Sequence, residues 1–100
     1  MIFVFHLLDH PDTAALRAEI RVKHLAHLAE VSDHIAFAGP LLSDDGTTSI
    51  GSLLAIDFPD RAAAEAWIAV EPFTQAGVYK TSSILPFNNL WPQKAGFPEC

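Results

Sequence analysis

The sequence predicts an α+β fold with the element order β-α-β-β-α-β, on three observations. Four apolar stretches of strand length alternate with two segments of helical periodicity. An Asp-Gly pair between the second and third stretches signals a hairpin. Pro11, Pro59, Pro72 and Gly77 punctuate the remaining junctions.

Residues 2–8 (IFVFHLL) are rich in aromatic and β-branched side chains and read as a buried strand. His10-Pro11-Asp12-Thr13 breaks it, with Asp12 or Thr13 capping a helix whose periodicity runs over 13–33. Residues 35–42 (IAFAGPLL) form the second strand, and Gly39-Pro40 place it at an edge or a bulge. The turn Ser43-Asp44-Asp45-Gly46-Thr47 returns the chain as the third strand, 49–58. Pro59-Asp60 ends that strand, and Asp60 caps an alanine-rich helix reaching about Val70. Pro72 stops the helix, Gly77 ends the short segment after it, and residues 78–86 are the last strand.

This order is the ferredoxin-like arrangement, an antiparallel sheet with helices on one face. The bare face needs a cover, and a second subunit is the simplest one. Half of the residues are hydrophobic, which is generous for a domain of 100 residues and supports a homodimer. Residues 1–87 make the domain. Residues 88–100 (NNLWPQKAGFPEC) read as an irregular tail, pinned to a surface or to the partner by Trp91 and Phe97.

Charge and motif content exclude several functions. Six Lys plus Arg against twelve Asp plus Glu give a net charge of −6, with no basic cluster to meet a phosphate backbone, so no nucleic-acid partner is expected. No apolar run reaches the roughly 18–20 residues that span a bilayer, and the start carries no basic region or cleavage site, so a cytoplasmic protein without a membrane partner is expected. Cys100, the single cysteine, makes no internal disulfide and reads as an exposed terminal thiol. There is no GxGxxG, GxxxxGK[ST], HExxH or Gly-x-Ser-x-Gly, so neither a cofactor nor a metal is expected, and His24 and His27 face opposite ways.

The first helix carries the polar exceptions. On a wheel of about 100° per residue, Leu28, Ala14, Leu25, Ala18, Ala29 and Val22 form an apolar arc beside His24, and Val31 and Ile20 flank its other side. Arg17, Arg21 and His24 break into this apolar region as one stripe at spacings of three and four. His24 and Arg21 then need hydrogen-bond or ion-pair partners, and a carboxylate elsewhere should face them. Arg17, nearer the helix start, is expected to reach solvent. His27 and His34 lie among charges on a solvated face, His10 lies in a turn, and His6 shares a strand face with Val4 and Leu8 where it can border a cavity. Two readings of His24 stay open, a hydrogen-bonded core residue and a functional group. Trp67 reads as core.

The stretch Arg21-Val22-Lys23-His24-Leu25-Ala26-His27-Leu28 resembles the R-x-x-H-L-x-x-L helix of YCII-related proteins. The resemblance continues in Ala38-Gly39-Pro40-Leu41-Leu42, the Asp-Gly turn, Gly51-Ser52, Ala63-Ala64-Glu65-Ala66-Trp67, Glu71-Pro72-Phe73, Ala76-Gly77-Val78-Tyr79 and Pro86-Phe87, in order across residues 2–87. It implies a dimeric α/β-barrel type of ferredoxin-like fold, with sheets packed together and pockets near the interface. It also implies a histidine–aspartate acid/base pair. The histidine falls on His24, and Glu71 stands where the family has aspartate, one methylene longer. Relatives of this kind include enzymes of aromatic-compound breakdown that eliminate chloride from chlorinated hydroxyquinols, and the fold also hosts muconolactone-type isomerases.

The resulting expectation is a cofactor-independent, small-molecule enzyme of lyase or isomerase type. His24 is its general acid/base, oriented by Glu71, while Arg21, Ser52 and Tyr79 bind the substrate. A non-catalytic module that binds a small metabolite in the same pocket is one alternative, and a structural dimerisation domain is the other.

Overall fold

Alternation along the first strand decides which side of the sheet is dry. The computed structural model describes residues 1–91. In β1 (Ile2–Asp9), Phe3, Phe5 and Leu7 are buried on one face, while Ile2, Val4, His6 and Leu8 take the other. α1 follows (Ala14–Ala29), then a single 3₁₀ turn (Ser32–His34), β2 (Ile35–Leu42), β3 (Ser49–Asp57), α2 (Arg61–Ala69), α3 (Pro72–Gln75) and β4 (Tyr79–Phe87). The spatial order is β2-β3-β1-β4 with every neighbouring pair antiparallel. This is the ferredoxin-like fold, and β2 with its Gly39-Pro40 is an edge strand.

Register carries the alternation across the sheet. Phe3 and Phe5 stand opposite Ile56 and Leu54 of β3, and Phe5 stands opposite Ile84 of β4. Their dry face receives Phe58, Ala64, Trp67 and Ile68. Phe5, Phe58 and Trp67 form an aromatic knot, with centroid separations of 5.7 to 6.1 Å in tilted or edge-on geometry. Burying each such ring contributes about 1.5–3 kcal/mol. Asp60 caps α2 as its sequence position suggested, accepting a hydrogen bond from the Ala63 amide. α1 starts differently: Thr13 is its N-cap residue without a side-chain cap bond, and its hydroxyl donates back to the His10 carbonyl.

A bulge at the start of β4 changes what faces the helices. Leu7 pairs with Ser82 and Leu8 with Thr81, but Asp9 pairs with Tyr79, so Lys80 is passed over. A one-residue slip in a strand exchanges its faces. Without it, Lys80 would stand opposite Asp9 on the helix side. With it, Tyr79 does.

The opposite face of the sheet exposes Leu8, Phe37, Leu85 and Phe87. Phe37 and Phe87, from the two edge strands, meet edge to face at 6.4 Å. His6 lies on this face and is exposed, away from the helix-side cavity. Trp91 is 90% exposed, so it does not pin the tail to its own chain, and Phe97 lies outside the described residues. No helix among the described residues is long and apolar enough to cross a membrane.

Gly51 of β3 stands opposite Leu8 of β1 with no room for a side chain. A Cβ there would stand 2.2 Å from the Leu7 carbonyl oxygen, and backbone cannot retreat without parting the strands. Gly51→Ala is therefore expected to cost about 1–3 kcal/mol. In thermal unfolding each kcal/mol lowers Tm by about 4–8 °C for a domain of this size, and an unchanged Tm would contradict the assignment.

Candidate active site

His24 is the one buried residue of α1. Its Nδ1 meets the Glu71 carboxylate at Oε1 within the same chain. Glu71 is 0% exposed. It occupies the N-cap of α3 with extended backbone, and its second oxygen, Oε2, accepts the Thr74 amide at 3.2 Å. Pro72 starts α3 at the position where its missing N–H is no loss. Gly77, at φ 79°, lets the chain leave again toward β4. One residue thus caps a helix and fixes the imidazole. With Nδ1 occupied, Nε2 has no protein partner among the described residues and is the nitrogen left for a ligand.

Phe73 lies under this pair. The His24 ring stacks on it at 4.0 Å and 13°. The Arg17 guanidinium stands 4.7 Å from the same centroid, and Tyr79 meets it edge-on at 6.1 Å.

Arg17 corrects the sequence reading. Expected to reach solvent, it holds Asp9 of β1 through a bidentate pair, Nε to Oδ2 at 2.6 Å and Nη2 to Oδ1 at 3.1 Å. The two side chains are only 12% and 5% exposed. Nη2 also donates to Ser52 Oγ at 2.9 Å, and Ser52 Oγ lies 3.0 Å from the Tyr79 hydroxyl. An unbroken polar chain, Asp9–Arg17–Ser52–Tyr79, therefore crosses the helix side of three strands. Burial raises the Tyr79 pKa above the ordinary value of about 10, the negative charge of Glu71 adds to that, and the Ser52 contact opposes it. Tyr79 stays a phenol across the physiological range.

His24, Arg17 and Ser52 open onto a cleft of about 560 Å³ between α1 and the β2–β3 side of the sheet. That volume suits a small organic ligand. Leu25, Leu28, Ala38 and Pro40 supply apolar lining. Arg21 also lines it, but it is exposed and forms no ion pair among the described residues, which corrects the expectation of a buried partner. Tyr79 is not in the lining and stands behind Ser52. His27, expected on a solvated face, stacks on Trp67 at 4.7 Å and bonds its carbonyl through Nε2 at 3.1 Å. Among the described residues no group of three or more His, Cys, Asp or Glu side chains could hold a metal.

Tyr79 is the sole tyrosine, so tyrosinate absorbance reports on it alone. The folded protein is expected to show no tyrosinate at the pH where a free tyrosine is half ionised. As pH rises past about 10, the unfolded chain loses its phenol proton first, so stability falls. Ordinary titration of the native protein near pH 10 would refute the buried placement.

Comparison with known proteins agrees with the fold. The YCII-related domain family matches residues 1–88. Protein YciI of Escherichia coli O6:H1 is 32% identical over 98 residues, 91% of this chain and 100% of YciI. A protein of Haemophilus influenzae is 30% identical over 98 residues with the same coverage. Among solved structures, 5-chloro-2-hydroxyhydroquinone dehydrochlorinase from Burkholderia phenoliruptrix AC1100, in complex with 2,5-dihydroxybenzoquinone, superposes with a TM-score of 0.82 at 24% identity, covering 88% of this chain and 94% of that one. Because the family match runs through every strand and helix, from β1 to β4, the chain belongs to the YCII-related family.

Proposed function

We propose that the chain is a cofactor-independent lyase acting on a hydroxylated six-membered ring, with His24 as general acid/base and Glu71 as the group that orients it. The observation that carries this reading is the His24 imidazole, tied at Nδ1 to a fully buried carboxylate while Nε2 is left toward a ligand-sized cleft. The buried carboxylate fixes the tautomer and steadies the imidazolium that forms when Nε2 takes a proton. The dehydrochlorinase with the same fold, bound to a dihydroxybenzoquinone, supports a ring of this class as the substrate.

The step is an elimination. It starts from the keto tautomer of the ring, in which the chlorine-bearing carbon is tetrahedral. Nε2 removes the proton of a remaining hydroxyl, that O–H pair closes a C=O bond, the ring double bond shifts onto the chlorine-bearing carbon, and the C–Cl pair departs on chloride. The net loss is HCl, and no external oxidant is needed. Arg21, which lines the cleft and is exposed, would hold an anionic group of the substrate.

We further propose that the functional unit is a homodimer closed over the open sheet face. Four large apolar side chains stand exposed there, Leu85 at 62% among them, and that is a surface a second copy can cover.

Chloride release from chlorinated hydroxyquinols tests the reaction. The parent is expected to release chloride, His24→Ala to lower kcat about 10²–10⁴-fold, and Glu71→Gln to lower kcat with KM little changed. An unchanged rate in His24→Ala would falsify the assignment, and no release by the parent rejects the dehydrochlorinase reading. For the dimer, sedimentation of the parent is expected to give the mass of two chains, and Leu85→Glu to shift it toward one. A parent that sediments as a single chain at micromolar concentration overturns the dimer.

A further inference from the structure

Ser52 accepts from two donors and keeps its own proton. A guanidinium offers only N–H groups, so in the 2.9 Å contact Arg17 Nη2 donates and Ser52 Oγ accepts. The 3.0 Å contact with Ser52 is the one hydrogen bond of the Tyr79 hydroxyl among the described residues. Were Ser52 the donor there, the phenol proton of Tyr79, which does not line the cleft, would have no acceptor to turn to, whereas Ser52, although only 2% exposed, lines the cleft and can aim its own proton into it. Tyr79 therefore donates. Both lone pairs of Ser52 Oγ are then taken, and its O–H has no protein acceptor among the described residues.

The same count holds for Arg17. Asp9 takes Nε and Nη2, Ser52 shares Nη2, and Nη1 is left without a protein acceptor among the described residues. Both side chains line the cleft that His24 opens onto. The His24 ring and the Arg17 guanidinium rest on one phenyl ring, 4.0 and 4.7 Å from its centroid. They cannot be further apart than those two distances laid end to end, a gap that one oxygenated six-membered ring spans.

We propose that Ser52 and Arg17 form a seat of hydrogen-bond donors for the substrate oxygen that becomes negative as His24 removes a proton, with Tyr79 and Asp9 as positioning residues that set the direction of those donors. The proposal rests on the acid/base reading of His24 and adds the substrate feature that reading lacks: a ring oxygen able to carry an anion, as in a hydroxyquinone or its hydroquinone. Donors fixed in advance act where charge develops, and losing one such donor commonly lowers kcat about 10²–10³-fold. Asp9 balances the Arg17 charge, so the seat favours an oxygen through direction rather than through a free positive charge.

Titration of 2,5-dihydroxybenzoquinone into the full chain tests this without turnover, because both the affinity and the visible band of the quinone can be read. The parent is expected to bind and shift the band. Ser52→Ala, which is nearly isosteric, should weaken binding about 10–100-fold and remove the shift. Tyr79→Phe, which frees a lone pair and releases the Ser52 hydroxyl from its set direction, should weaken binding about 3–10-fold and move the band part way back. His24→Gln should lose turnover while the bound quinone still shows the shifted band, because the Ser52 and Arg17 donors are intact. Circular dichroism confirms that each variant is folded. If Ser52→Ala and Tyr79→Phe bind and shift the quinone like the parent, the donor seat is wrong, whatever His24 does. If the parent does not bind, the substrate class is wrong. Normal turnover in His24→Gln rejects the acid/base reading and cuts the link between the seat and proton removal. In the free parent, a slowly exchanging Tyr79 hydroxyl proton that vanishes in Ser52→Ala is expected from NMR, and its absence overturns the donor direction.

Discussion

A carboxylate sealed from water organises the helical layer of this protein. Glu71 cannot stay buried and unpaired, since removing an ion from water costs several kcal/mol even after the protein relaxes around it. It has two partners, the Thr74 amide and the His24 imidazole. The first makes a start for α3, which at four residues is too short to hold itself. The second ties α3 to α1. Between them Phe73 is held flat beneath His24, so one side chain sets the cap, the floor and the ring orientation.

The polar groups around it survive burial for the same reason. Asp9 holds Arg17, Arg17 feeds Ser52, and Ser52 accepts from Tyr79, so each member of the chain has a partner in the next. This chain depends on the bulge at Lys80, which turns Tyr79 rather than a lysine toward the helices. A lysine there would set a second cation against Arg17 and leave Ser52 without its phenol. The irregularity in β4 is part of the site.

The strands and their order could be read from the sequence because β1 and β3 carry continuous apolar stretches, while Gly39-Pro40 and Asp60 mark an edge and a cap by local chemistry alone. The site could be read only in part. The wheel alone marks His24, but Glu71 is reached only through a resemblance, and their contact spans 47 positions that no periodicity connects. For Arg17 the sequence carries a signal that the expectation of a solvent-reaching side chain passes over. Seven residues before His24, it lies only about 20° from it on the wheel, nearer than Arg21 at about 60°. What the wheel cannot supply is the partner, because Asp9 belongs to another element and only the sheet brings it alongside. The wheel is silent on His27 in the same way: it shows Glu30, which does lie beside it, but not Trp67, on which its ring stacks.

The wheel erred in one further respect, and that error describes how α1 works. Most of the apolar arc on the wheel does not face the core; Val22 is 78% exposed and Leu25 48%. The core takes a narrower strip through Leu28 and Val31. The remaining arc, with Ala14, Ala18 and Leu25, borders the cleft instead. One helix thus presents three surfaces: a strip against the sheet, a polar stripe of Arg17 and His24 resting on Phe73, and an apolar flank beside that stripe. A flat ring carrying oxygens matches the last two together, its face against the alanines and leucines and its oxygens between imidazole and guanidinium. An aliphatic acid would satisfy the charges and waste the flank; a plain hydrocarbon would cover the flank and leave Ser52, Arg17 and His24 without acceptors. The sequence spends apolar residues on a surface the core does not use, and the oxygenated ring proposed as substrate would use both that surface and the stripe beside it.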